Sequence, residues 1–352
     1  MSFELMKRCK GISLVDLMVG LAIGLAAMLI ILKVAVLFES RRRSSTGIAD
    51  AQLNAASATL VMARELRIAG QGLGPVDALG CGIIHGLSGL GAISLLPVEI
   101  IDGPSGAPDR LRILASASPQ IISSASLIAA HATSDSAMML DSTLGIAPGH
   151  HLLLYEPGKR CALFKATSVP LGGYRVLHQW FSASGLPDHT VGARVINLGS
   201  LHYLEFSVDT NAYLQVNRYL AGADTWQSSA LASGVVSLQA QYGFDTQSGT
   251  PSSTKVTRWS DTMLDADGNG ITGDNGDLRR LIAVRLAIVV RSAERSDQGC
   301  HASVPQWMAG AASNGQLALT DISLNLVNDW RCYRYRVLQT EMPLRNLLWT
   351  DS

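Results

Sequence analysis

Residues 11–43 read GISLVDLMVGLAIGLAAMLIILKVAVLFESRRR, and this stretch decides the architecture. A nearly uninterrupted apolar run extends from Leu17 to Phe38, with Lys33 as its one charge. Its 22 residues, at about 1.5 Å each, span about 33 Å, enough to cross a bilayer core. Ahead of it lies MSFELMKRCKG, a leader made basic by Lys7, Arg8 and Lys10. The positive-inside rule keeps such a leader in the cytoplasm, and Arg41, Arg42 and Arg43 beyond the run oppose that orientation slightly. A secretory signal would show a shorter apolar core followed by a small-x-small cleavage site; nothing of that kind ends this run.

Helical periodicity continues instead through Ala49, Leu53, Ala56, Leu60 and Ala63 up to Gly70, and Arg41 to Ile68 contains no Pro and only Gly47. The pattern predicts one helix from about Leu14 to about Ala69, lipid-facing over about 14–38 and amphipathic afterwards. Gly20 and Gly24 form a G-x-x-x-G in its apolar part, a spacing that lets helices pack closely.

After Gly70 a cluster from Gly72 to Gly89 marks a loop-rich transition. It follows a helix and holds no G-K-[ST], so it is no phosphate-binding loop. Further on, period-two alternation predicts half-buried antiparallel strands at Val236–Phe244, Ile282–Val290 and Tyr333–Val337. Shorter candidates are His151–Glu156, Ala162–Thr167, Tyr174–His178, Leu201–Val208 and Tyr213–Tyr219. A helix followed by strands implies the α+β class, with the helix's apolar face laid on an antiparallel sheet.

The 28 basic and 28 acidic residues balance, so no charge excess points to nucleic acid. Of the five cysteines, Cys9 lies in the leader. The other four, Cys81, Cys161, Cys300 and Cys332, are too widely spaced for a zinc site and suit two disulfides with three possible connectivities. Cys300 and Cys332 share the C-terminal region, which favours pairing them with each other and Cys81 with Cys161. No H-E-x-x-H, H-x-H or G-x-S-x-G is present, and no nucleophile–base motif suggests an enzyme.

Asp265-Ala266-Asp267-Gly268-Asn269-Gly270 has the spacing of the start of an EF-hand-like calcium loop. Oxygens at alternate positions converge on one hard cation, and the Ile271 carbonyl would supply another ligand. The glutamate expected at position twelve is replaced by Gly276, leaving Asp274 or Asp277 to close the site. The competing reading is a solvated Asp/Asn/Gly turn between strands.

Gly11-Ile12-Ser13-Leu14-Val15-Asp16 resembles the class III signal of type IV pilins and pseudopilins. That resemblance implies cleavage between Gly11 and Ile12 by a prepilin peptidase, methylation of Ile12, and loss of residues 1–11 with Cys9. It implies that Asp16, at the position where the family usually carries Glu, pairs with the N-terminal amine of a neighbouring subunit. It also implies a pilin fold: a helix over 12–70, then a β-rich periplasmic domain over 71–352. Leu66-Arg67-Ile68-Ala69-Gly70, Trp330-Arg331-Cys332-Tyr333-Arg334-Tyr335-Arg336-Val337 and Met342-Pro343-Leu344-Arg345-Asn346-Leu347-Leu348-Trp349 resemble PilW-type minor pilins, in which D-x-D-x-[DN]-G loops recur. The expected role is priming and incorporation at the tip of a type IV pilus, starting from the inner membrane. The expected partners are other minor pilins, the major pilin, the peptidase and the inner-membrane assembly machinery. A minor pseudopilin of type II secretion and a tip adhesin are the alternatives.

Overall fold

The computed structural model describes residues 14–73, 76–85, 87–117, 125–170, 172–179, 187–247, 249, 255–295, 299–311, 317–324, 327–344 and 346. Helix α1 runs unbroken over Leu14–Ile68. It stops at Gly70, whose φ of +78° is cheap only for glycine. The Gly70 N–H then donates to the Leu114 carbonyl at 3.0 Å, which turns the chain onto the sheets.

The strands in chain order are β1 (Gly82–Ile84), β2 (Ile93–Ser94), β3 (Val98–Ile101), β4 (Arg110–Ser116), β5 (Ala125–Ser126), β6 (Ala137–Met139), β7 (His151–Tyr155), β8 (Cys161–Ser168), β9 (Arg175–Gln179) and β10 (Arg194–Gly199). There follow β11 (Leu201–Val208), β12 (Tyr213–Leu220), β13 (Thr225–Ser233), β14 (Val235–Phe244), β15 (Arg258–Ser260), β16 (Leu281–Arg291), β17 (Gln306–Ala311), β18 (Leu317–Asp321) and β19 (Tyr335–Pro343). A one-turn helix, α2 (Asn275–Leu278), precedes β16.

These strands make several sheets where a single one was expected. One has the order β13-β12-β11-β4-β3, a second β15-β14-β16-β19, a third is the β17–β18 hairpin, and the fourth is an eight-stranded lobe built around β7, β8 and β10. Pairing is antiparallel except between β1 and β8. The class is therefore mixed α+β.

The helix packs on this head through a face other than the one Leu53 and Leu60 suggest. Ala51, Ala55, Ala58, Met62, Leu66 and Ala69 are buried in the main core, whereas Leu53 and Leu60 are 68% and 73% exposed. Small side chains let the helix axis approach the sheet closely, and Leu53 and Leu60, on the opposite side of the helix, are left outward.

The expectation of half-buried strands also needs correction. Almost every residue of β14 and β16 is buried, on both faces. The helix covers one face, and on the other the β17–β18 hairpin forms a second small core of Val236, Val289, Trp307 and Ile322. Arg285, which alternation places in solvent, is enclosed. Its guanidinium stacks 3.8 Å from the Trp259 ring centroid and bonds Glu341 and the Met308 carbonyl. A buried guanidinium needs such partners to offset its lost hydration. The last strand begins at Tyr335 and not at Tyr333, because Trp330–Cys332 is a 3-10 turn.

The eight-stranded lobe has its own core, with Leu152, Leu154, Phe164 and Val176 at its centre. Three buried histidines line it. His131 Nε2 lies 2.9 Å from His178 Nε2, and His131 and His189 exchange backbone hydrogen bonds. The Nδ1 atoms of all three are buried without a partner among the described residues.

Candidate functional site

The sequence places functional groups at the start of the helix, in the acidic loop and at the cysteines. Gly11 and Ile12 lie outside the described residues, as does the leader with Cys9. Asp16 sits in the first turn of α1, where a carboxylate complements the positive end of the helix dipole. The stretch Leu14–Glu39 projects from the head with none of it buried, and by length and composition it can cross a membrane. Gly20 and Gly24 are open: a Cβ at either would meet nothing within 4 Å.

The acidic loop gathers Asp265, Asp267 and Asp277, with one oxygen from each within 4.8 Å of the others. Asp277 is the buried member and the hinge of the arrangement. Its carboxylate accepts the backbone N–H groups of Ala266 (2.5 Å), Gly273 (2.6 Å) and Asp267 (3.2 Å). Asp265 accepts those of Gly268, Asn269 and Gly270. The loop is thus wrapped around two carboxylates by its own backbone donors. Burial raises the Asp277 carboxyl above the usual carboxylate range; the three N–H groups oppose that and the charge of Asp274 adds to it. A hard divalent cation relieves both the burial cost and the repulsion, so the residues present fit calcium.

The other three residues of the sequence reading stand beside this trio. Asp274 caps α2, its Oδ1 accepting the Asp277 N–H at 3.1 Å, while its Oδ2 accepts from Asn269 Nδ2 at 2.7 Å. Asn269 Oδ1 accepts the Ile271 N–H, and the Ile271 side chain is exposed. Gly276, where a loop of this kind carries glutamate, lies so close to Asp267 that a Cβ there would overlap its carboxylate. A side chain at position twelve would require the Asp267 carboxylate to move, and here the carboxylate is delivered one residue later. The loop is tied to the chain just beyond α1 by the pair between Arg279 Nη2 and Asp77 Oδ1 at 2.9 Å.

The four cysteines of the head form two disulfides, Cys81–Cys161 and Cys300–Cys332. The first joins the segment after α1 to β8, beside the parallel β1–β8 pair. The second closes a loop that holds the β17–β18 hairpin.

Sequence reasoning missed the basic surface that Arg331, Arg334 and Arg336 build together with the loop at 299–306. The R-x-x-R-x-R spacing on alternate residues was its signal, since it puts Arg334 and Arg336 on one side of an extended chain.

Nothing among the curated proteins or the solved structures matches the chain. The family model of Type IV Pilus-assembly protein W, PilW, matches residues 203–346. That segment runs from β11 to Asn346 and contains the acidic loop, the Cys300–Cys332 disulfide and the sheet on which α1 lies. This match over residues 203–346, together with the apolar N-terminal helix, supports a PilW-like type IV pilus protein.

Proposed function

We propose that the chain is a minor pilin. It is cut between Gly11 and Ile12 by a prepilin peptidase, methylated at Ile12, and held in the inner membrane by α1 with its head in the periplasm. It then primes assembly of a type IV pilus and enters the filament at its tip with other minor pilins, ahead of the major pilin.

The observation that carries this reading is the combination of a family match over the sheet with a single helix doing two jobs. One face of α1 from Ala51 to Leu66 belongs to the head's core, while residues 14–39 stand free of it. A free apolar segment continuous with a packed one suits a subunit that trades lipid for neighbouring helices. Leu53 and Leu60, outward on the packed half, extend that helix-facing surface. Asp16 is assigned to the N-terminal amine of a neighbour, since a lone carboxylate in an apolar segment is costly without a partner. Calcium at Asp265, Asp267 and Asp277 is proposed as a structural ion with no catalytic part.

The reading is tested by complementing a deletion strain. Wild-type protein should restore surface pili, and Gly11→Arg should not, although it accumulates in the membrane. Full piliation by Gly11→Arg would contradict the proposal.

A further inference from the structure

The end of the head nearest the apolar span is basic. Gly47 of α1 lies against Ala293, since a Cβ on it would sit 3.8 Å from the Ala293 nitrogen. Ile48 lines an open cleft of about 860 Å³ with the loop around His301 and with Arg331, Arg334 and Arg336. At the opposite end of the packed helix, Asn346 bonds the carbonyls of Arg67 and Ala69. The two ends are separated by about 30 Å of helix. The cleft therefore marks the membrane-proximal rim, about 14 Å along the helix from Glu39, where the apolar span ends.

The charge on this rim is not internally balanced. Arg331, Arg334 and Arg336 are exposed, and among the described residues none has a carboxylate at ion-pair distance. The nearby Arg295 is different, being paired with Asp329 at 3.2 Å. Arg291 stacks on Tyr333 at 4.6 Å, and Arg331 on Trp330 at 5.2 Å. Asp321, the acid at the cleft's edge, accepts from Gln306. Arg41 and Arg42 are exposed on the helix between span and rim. Guanidinium forks match phosphate oxygens, and tyrosine is enriched at the level of lipid headgroups.

We propose that this rim docks on the anionic phospholipid headgroups of the membrane that α1 crosses, holding the head down on the bilayer before assembly. The proposal rests on the membrane-anchored reading. Position argues for it: the headgroup layer adds about 5–8 Å to each side of the hydrocarbon core. A helix tilt of about 20°, the average for such spans, towards the rim lowers it onto that layer. It also accounts for arginines on the side of the span that the positive-inside rule disfavours.

The experiment places the full chain in nanodiscs of phosphatidylcholine alone and of phosphatidylcholine with phosphatidylglycerol, and follows amide hydrogen exchange. Exchange over 299–306 and 331–337 is expected to be about fivefold slower in the anionic discs. That protection should vanish at high salt and in the Arg331→Gln/Arg334→Gln/Arg336→Gln variant, while β14 and β16 exchange alike in all samples. Equal exchange in both disc types, or protection that survives the triple substitution, overturns the rim proposal and leaves the anchor standing. Equal protection by soluble glycerophosphate in detergent also overturns it, by making the cleft a small-anion pocket. A chain that fails to co-elute with discs of either kind overturns the anchored reading itself.

Discussion

Asn346 Nδ2 donates to the Ala69 carbonyl at 3.0 Å across 277 residues of sequence. The same nitrogen reaches the Arg67 carbonyl at 3.0 Å. Carbonyls in the last turn of a helix have no partner within it, and here the far end of the chain supplies one. Two segments that resemble the same family at opposite ends of the sequence therefore meet at one point, where the helix ends.

Asn346→Ala is expected to destabilise the protein by about 1–2 kcal/mol, the net worth of two such bonds. Denaturant unfolding measures the loss, and amide exchange should rise first around residues 66–70. An unchanged midpoint would mean that water replaces the side chain at no cost.

The two faces of α1 predict opposite outcomes. Ala58 is fully buried against the sheet, so Ala58→Leu should overpack the contact and cost about 1–3 kcal/mol. Leu60→Ala should leave stability within about 0.5 kcal/mol, because its side chain is exposed on the head, but reduce incorporation into pili if the proposed contact with neighbouring helices is made there. Thermal unfolding and pilus counts separate the two effects. A large stability loss for Leu60→Ala would place that residue in a contact within the head.

Part of this was legible in the sequence. The extent of α1 follows from a Pro-free apolar pattern and the Gly70 stop. Its packed face did not, because Leu53 and Leu60 score as core in any periodicity, while the alanines that touch the sheet carry little hydrophobic signal. The positions of β14 and β16 were legible, but their burial was not. Gln241 and Arg285 read as solvent-facing, and the β17–β18 layer together with Trp259 and Asp261 across that face reverses this. In the acidic loop the D-x-D-x-N-G spacing was clear. The choice between Asp274 and Asp277 depended on α2, which turns one into a cap and the other inward. The lobe over residues 125–199 is made of short strands, several too brief to show a period.

Calcium is expected to stabilise the wild-type protein by about 2.7 kcal/mol at one hundred times its dissociation constant. Asp277→Asn should remove the effect. The sign with pH follows from the raised Asp277 carboxyl. Without the ion, its contribution is present below the unfolded pKa and is lost as pH rises through the folded one. Calcium therefore adds more at neutral pH than near pH 4. Identical thermal unfolding with calcium and with chelator at neutral pH would contradict the site.

Acid should loosen the histidine-lined lobe. Burial first, then the neighbouring His131, lowers His178 to about 4, whereas an unfolded imidazole titrates near about 6.5. In that window the unfolded chain binds a proton that the folded lobe excludes, so stability is full above about 6.5 and falls towards pH 4, by about 3 kcal/mol. Asp109 works the other way: burial raises its carboxyl to about 7, so its share of stability grows as pH falls through that value. Comparison with His178→Phe isolates the histidine term. The stability of the wild type relative to the variant should drop by about 3 kcal/mol between pH 6.5 and 4 in urea unfolding. Parallel pH profiles would contradict it.

The most direct test of the central claim is the intact mass and N-terminal fragment of the protein isolated from its own host membranes. The account predicts a chain that begins at methylated Ile12, with residues 1–11 gone and Asp16 five residues into the mature protein. A chain still carrying Met1 to Gly11 would contradict it, leaving a membrane-anchored PilW-like protein that does not enter the filament by prepilin processing.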